Sequence, residues 1–306
     1  MGAALRAAIV GLDTSHPDAF VPVMRERGVV VTHVLDEGVV RAPGYPALFA
    51  EGHGIPMVAR TPADLRGAVD FAVVSGCDWE RKMPLARELA ALGIDVFLDK
   101  PACASVSELE AFLEEFGERI RVAGGSALLW NREAAPLRAS GQIAGGTFWA
   151  RGHAYDYGVH AIALAISVMG GDIVEVRGEH DGTCLVGSLR WEDGRRAEVR
   201  MGPDVEGATY GGVVERITGE RESVQLDPAA LYPALWDAAL PRLRGDAAED
   251  ERHRWSFEPE RVCLALEVSA RDGGAWIGRE DRVMWEWRWP SAAFVADYVR
   301  SRARLQ

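Results

Sequence analysis

Ile94-Asp95-Val96-Phe97-Leu98-Asp99-Lys100-Pro101 is the stretch whose reading decides the fold. A short apolar run bounded by Gly93 and Pro101 reads as a buried strand of a parallel sheet. The carboxyl edge of such an open α/β sheet is where its ligands bind, and an acid, a lysine and a proline stand there. Pro101 fixes its own φ and keeps Lys100 out of the helical region, so the lysine leaves the strand in a defined direction. Lys82 and Lys100 are the two lysines of a chain that otherwise takes its positive charge from arginine. Arginine stays charged in proteins, whereas a desolvated lysine can shift its pKa and trade a proton. A lone strand-end lysine is otherwise an ordinary surface charge, and the neighbouring sequence decides between the two.

Upstream, Ala4 to Val10 is an apolar strand that runs into Gly11-Leu12-Asp13-Thr14-Ser15-His16-Pro17. A strand, a glycine turn and a helix open a dinucleotide site. Gly11 holds the first glycine position of G-x-G-x-x-G, but Asp13 and His16 stand at the second and third. A carboxylate at the second repels the diphosphate that the turn should cradle, whereas Ser15 and His16 at the helix start are placed to contact phosphate. Gly28 to Leu35 is a second strand, and Asp36 at its end is placed to accept adenine-ribose hydroxyls or is an ordinary strand-to-loop acid. Asp36 favours NAD, and Arg41 nearby leaves NADP open. Val69 to Val74 is a third strand, ending in Ser75-Gly76-Cys77-Asp78. A helix from Glu80 to Leu92 stops at Gly93, and another from Ser105 to Glu118 carries a Ser105/Glu108 capping box. With a further strand over Arg119 to Ala123, the first ~120 residues alternate as a doubly wound parallel sheet does.

After Gly124 the texture changes. A helix-like linker spans Asn131 to Gly145, a strand Phe148 to His153, and a helix Asp156 to Met169. Strand-like runs follow at Thr183–Trp191, Arg196–Met201, Gly211–Thr218 and Ser223–Leu226, the first two joined by the turn Glu192-Asp193-Gly194. Pro259 to Asp272 reads as a late helix, and Arg282 to Trp287 as a final strand whose tryptophans serve packing or an oligomer contact. The expected architecture is a Rossmann-like doubly wound sheet over residues 1–122 and an α+β unit over 123–306 on a large open, mainly antiparallel sheet.

Composition narrows the function. The chain has 306 residues, 48% of them hydrophobic, and a formal net charge of -12. That charge argues against nucleic acid or an anionic membrane as partner. No apolar run reaches bilayer length and none resembles a signal peptide. Cys77, Cys103, Cys184 and Cys263 are scattered, without a C-x-x-C pair, which fits a reduced, cytoplasmic setting.

Together these features resemble the Gfo/Idh/MocA family of nicotinamide-dependent oxidoreductases. Asp99-Lys100-Pro101 matches its E-K-P motif with Asp for Glu, and Asp156-Tyr157-Gly158-Val159-His160 matches its D-x-G-x-H helix start. A late helix followed by Gly273-Gly274 also matches how the family's chains end. The likeness covers nearly the whole chain. It departs at Asp13 and His16, at Glu80 in place of the family's histidine after the Ser75-Gly76 turn, and at Ala163 where a second acid commonly follows the catalytic histidine.

The resemblance implies a hydride exchanged between nicotinamide and a secondary alcohol or ketone of a sugar, cyclitol or related small molecule. His160 would take the hydroxyl proton, Lys100 would stabilise the developing oxyanion, and Asp156 would orient the histidine or hold a neighbouring hydroxyl. NAD would be met by Gly11, Asp13, Thr14, Ser15 and His16 on the first turn, by Asp36, by Ser75 and Gly76, and by Asp99-Lys100-Pro101. Tyr155, Tyr157 and Arg151 are candidate substrate contacts, though packing explains the tyrosines equally. It also implies a homodimer or homotetramer through the C-terminal sheet. Three alternatives stay open: a lyase or hydrolase using tightly held NAD, a cofactor-free partner subunit, and a metal held by His153, Asp156 and His160.

Overall fold

The computed structural model describes residues 4–246 and 250–303; residues 1–3, 247–249 and 304–306 lie outside the described part. The front half alternates β1 (Arg6–Val10), α1 (His16–Glu26), β2 (Val30–Leu35), α2 (Tyr45–Gly52), β3 (Met57–Val58), β4 (Phe71–Val74), α3 (Trp79–Ala91), β5 (Asp95–Asp99), α4 (Val106–Phe116) and β6 (Val122–Gly125). All six strands are parallel, in the order β3-β2-β1-β4-β5-β6. That is the doubly wound order, with its reversal between β1 and β4. The apolar runs are buried because helices cover both faces of a parallel sheet; β4 and β6 are buried throughout and β1 and β5 in all but their first residue. Ser105 caps α4 as its sequence predicts, accepting from the Glu108 N–H. The expected division at 122/123 falls inside β6.

The back half consists of α5 (Ala134–Ala139), β7 (Ile143–Arg151), α6 (Gly158–Met169), β8 (Ile173–Asp181), β9 (Cys184–Trp191), β10 (Arg196–Gly202), β11 (Tyr210–Arg216), β12 (Arg221–Ser223), α7 (Pro228–Arg244), α8 (Glu258–Arg271), β13 (Ile277–Gly278), α9 (Val283–Glu286) and α10 (Ala292–Ala303). Its seven strands run β12-β11-β7-β10-β9-β8-β13, antiparallel except for the parallel pair β7 and β10. Every residue of α6 is buried, which its all-round apolar sequence requires.

Three elements differ from the sequence reading. Residues 282–287 form no strand but the single turn α9, after which the chain extends so that the Trp289 ring stacks on Tyr155 at 4.8 Å and its carbonyl accepts from the Trp79 indole at 2.7 Å. Alternating tryptophans satisfy a period of two, but docking on the front half decides the backbone. The linker predicted as one helix from Asn131 to Gly145 is the short α5 and the start of β7. Helix α7, carrying Pro233 and Pro241 in its interior, packs back on the front sheet, where Trp236 stacks on Phe97 at 4.5 Å. Among the described residues no helix is long and apolar enough to cross a membrane.

Candidate active site at the carboxyl edge of the parallel sheet

The ends of β1, β4, β5 and β6 deliver Gly11, Ser75, Lys100 and Ser126 to one edge of the sheet. From the back half, the turn before α6 and the first turns of that helix bring Asp156, Tyr157 and His160 against them. Lys100 Nζ donates to Asp156 Oδ1 at 3.1 Å and to the Asp156 carbonyl at 3.0 Å. It also sits 5.3 Å from the centre of the Tyr157 ring. Burial alone would pull Lys100 down, but the carboxylates of Asp156 and Asp99 outweigh it and hold the amine above the ordinary lysine value. Lys100 is therefore a fixed ammonium, not a group that trades a proton near neutrality.

Asp156 lies outside α6, which begins at Gly158 and not at Asp156 as the sequence predicts, so Asp156 and His160 do not share a helical face. The partner of His160 is Ser126, whose Oγ lies 2.7 Å from Nδ1 and also accepts from the Leu128 N–H at 3.2 Å. Burial foremost, and then the nearby charges of Lys100 and His16, keep His160 well below the usual imidazole range. It is a neutral imidazole with Tyr210 packed edge-on at 5.2 Å. Ser126 follows two glycines at the end of β6, a position that betrays a strand-end ligand only once the strand order is known. Tyr210 and Tyr232 had no sequence signal at all.

The first turn behaves as a dinucleotide cradle in part. Gly11 has φ +87°, and a Cβ there would lie 2.5 Å from the Gly76 nitrogen, so two glycine loops meet in van der Waals contact. Asp13 lies in the same pocket as Gly11, Asp36 and Gly76, with its Oδ1 buried and without a partner among the described residues. Its Oδ2 accepts from the Cys77 N–H at 2.9 Å, and burial pushes its pKa up, so the carboxylate that replaces the second glycine is spent on tying the two loops together from within. Ser75 likewise turns inward, donating to the Gly11 carbonyl at 2.8 Å. Thr14 Oγ1 accepts from the His16 N–H at 3.2 Å, and Ser15 is exposed at the N-cap of α1. His16 is not free for phosphate: its Nδ1 is 2.6 Å from Asp99 Oδ2, and Tyr232 packs against its ring. Asp36 Oδ1 accepts from the Leu12 N–H at 3.0 Å, while Oδ2 is buried with no partner among the described residues. Arg41 lies across the turn, donating to the Leu12 carbonyl at 3.0 Å.

These residues fit a dinucleotide. A buried orphan carboxylate oxygen at the end of β2 demands a donor such as a ribose hydroxyl. A glycine contact that admits no side chain, and a helix amino end at which Ser15 makes no side-chain cap, suit a diphosphate.

Beneath the site, Lys82 Nζ donates to the carbonyls of Asp99, Lys100 and Pro101 at 2.9, 3.2 and 2.9 Å, and the Lys100–Pro101 peptide is cis. The Ala102 N–H donates to Glu260 Oε1 at 3.3 Å. Burial pushes Glu260 up to about 7, and its other oxygen has no partner among the described residues. Glu80, at the family's histidine position, accepts instead from the Ser291 N–H at 2.9 Å. Of the other candidates, Tyr155 is a core residue donating to the Cys103 carbonyl at 2.7 Å, and Arg151 is exposed at the end of β7. His153 accepts from the backbone N–H groups of Tyr155 and Asp156 while its ring packs on Trp79, so it does not join His160 around a common point. Among the described residues no group of three His, Cys, Asp or Glu side chains could hold a metal ion.

No family model matches the chain. A protein of Amycolatopsis mediterranei (strain S699), provisionally named a UDP-kanosamine synthase oxidoreductase subunit, is 31% identical over 137 residues, which are 44% of this chain. The match spans 36% of that relative's own length. Among solved structures, an oxidoreductase from Agrobacterium radiobacter in complex with NAD+, L-tartaric acid and magnesium superposes with a TM-score of 0.73 at 15% identity, covering 90% of this chain and 98% of its own. GenD2 of gentamicin A biosynthesis, in complex with NAD, gives 0.75 at 15% identity over 92% and 98%. The scyllo-inositol dehydrogenase of Lactobacillus casei, with bound NAD(H) and scyllo-inositol, gives 0.73 at 10% identity over 90% and 99%. With its six-stranded parallel sheet, its mixed seven-stranded sheet and these neighbours, the chain has the fold of the Gfo/Idh/MocA-type oxidoreductases.

Proposed function

We propose that the chain is an NAD-dependent oxidoreductase acting on a secondary alcohol or ketone of a sugar, cyclitol or related small molecule. One observation carries the reading: an ammonium from the front half and a neutral imidazole from the back half are both buried, near enough for the charge of Lys100 to lower the proton affinity of His160, at the edge where Gly11 and Asp36 offer a dinucleotide seat. Bound NAD would supply the hydride acceptor or donor, with Asp36 toward a ribose hydroxyl and the Gly11 turn beneath the diphosphate.

The chain's own residues handle the proton and the charge. When His160 Nδ1–H donates to Ser126 Oγ, Nε2 carries a free lone pair for the substrate hydroxyl proton. The low proton affinity of His160 keeps that lone pair available at neutral pH. Lys100, held protonated by Asp156, stabilises negative charge on the same oxygen. Tyr157 packs against Lys100 and Tyr210 against His160. In the related NAD complexes the ligands named are L-tartaric acid and scyllo-inositol, both polyhydroxylated, which supports the substrate class. The same reading carries a homodimer or homotetramer through the second sheet, to be read by analytical ultracentrifugation.

The test is ligand-dependent stabilisation, because a ligand that binds only the folded chain raises its melting temperature. NAD+ or NADH is expected to raise it more than NADP+ or NADPH. No rise with any of the four would overturn the reading and favour the cofactor-free subunit, the alternative that Asp13 supports.

A further inference from the structure

The chain's lysine and arginine residues number 34, yet its two lysines stand within one cluster, and only one of them faces the site. The other, Lys82, is 2% exposed and spends all three of its N–H bonds on the consecutive carbonyls of Asp99, Lys100 and Pro101. An ammonium has three donors in a compact, rotatable cone, whereas guanidinium offers a planar fork. Three carbonyls converging on one point from a single turn are served by the first geometry and not by the second.

We propose that Lys82 is a positioning residue for Lys100: a buried clamp that sets the direction in which the turn at residues 99–101 presents the site ammonium. Its three N–H bonds all go to backbone carbonyls and none to Asp156, so its hold on the turn is made through the backbone. The Ala102 N–H, donating to Glu260, adds a further hold on the turn. The clamp spans two elements, since Lys82 lies on α3 and the turn follows β5. Burial pulls Lys82 below the ordinary lysine value, opposed first by Asp99. The idea rests on the reading of Lys100 as a reacting group, but its test does not.

The two lysines make that test direct. Protein labelled with ¹⁵N-lysine gives two backbone amide resonances, and in Lys82→Arg or Lys82→Met the one that remains belongs to Lys100, whose N–H donates to Asp99 Oδ1 at 3.0 Å. Both variants are expected to move this resonance from its wild-type position and to weaken NAD+ binding, and arginine is expected to restore neither. A side chain that merely supports the fold would lower the melting temperature and leave the Lys100 resonance in place. An unmoved resonance, or full rescue by arginine, overturns the proposal. If neither variant folds, the wild-type side-chain Nζ–H signal of Lys82 decides: slow exchange with water supports the clamp, and exchange as fast as that of a surface lysine refutes it. Should the wild type show no response to NAD+, the functional reading fails while the amide resonance still judges this one.

Discussion

Replacing Glu260 with glutamine isolates one buried ionisation. The carboxyl lies under the Lys100 turn, fully buried, with one oxygen accepting from Ala102 N–H and the other without a partner among the described residues. Burial raises it from the ordinary 4.5 to about 7. A raised carboxyl pKa means that the folded chain keeps a proton which the unfolded chain has released. Its stabilising effect is complete below pH 4.5, declines as pH rises toward 7, and is gone above. At 1.36 kcal/mol per pH unit, the difference between those two values amounts to ~3 kcal/mol lost across that window. Glutamine keeps the acceptor for Ala102 and never ionises. Urea unfolding of both proteins at pH 5 and pH 8 measures the effect, because every other titrating group is shared and cancels in the comparison. The wild type should lose roughly 2–3 kcal/mol more than Glu260→Gln between those conditions, part of the effect being already lost at pH 5. Identical pH dependence in the two proteins would refute the reasoning, since Glu260 would then titrate alike folded and unfolded.

Other expectations concern the site itself. Ser126→Ala removes the side-chain partner of His160 Nδ1, so turnover should fall on the order of 10–100-fold with KM little changed and the melting temperature nearly kept; turnover within twofold of wild type would remove Ser126 from the machinery. Asp156→Asn takes away a carboxylate that holds Lys100 above its ordinary value, so the alkaline limb of the pH–rate profile should move to lower pH; an unmoved limb would detach Lys100 from it. Gly11→Ala forces a side chain into φ +87° and against the Gly76 backbone, which should cost about 2 kcal/mol or more and abolish NAD-dependent stabilisation, as denaturation and thermal-shift measurements would show.

The parts of this molecule legible in its sequence are those fixed by local punctuation. Gly93 and Pro101 bracket β5, and Ser105 with Glu108 begins α4, because a chain reversal or a cap needs particular residues at particular places. The pairing of Lys100 with the Asp156 turn was legible only through the resemblance, since fifty-six residues of chain separate them. Ser126, Lys82 and Glu260 were not legible: a serine, a lysine and a glutamate carry no local signature of what will be folded over them. Residues 228–244 carried no assignment from the sequence, and the helix they form holds two interior prolines, Pro233 and Pro241, which ordinarily break one. Asp13 was read as a poor neighbour for phosphate, but its bond to the Cys77 amide sixty-four residues away had no local signal. The final strand failed because an alternating pattern describes a surface with two faces, and here one face was supplied by Trp79 and Tyr155.

The return of α7 to the front sheet bears on how the chain is born. Trp236 covers Phe97 and Phe20, yet it leaves the ribosome more than a hundred residues after both. Until then the nascent front half carries an uncovered aromatic face, which makes it a client for holdase chaperones rather than a finished unit. A fragment ending at Gly125 should accordingly be recovered as aggregate, and adding residues 228–244 in trans should restore its solubility.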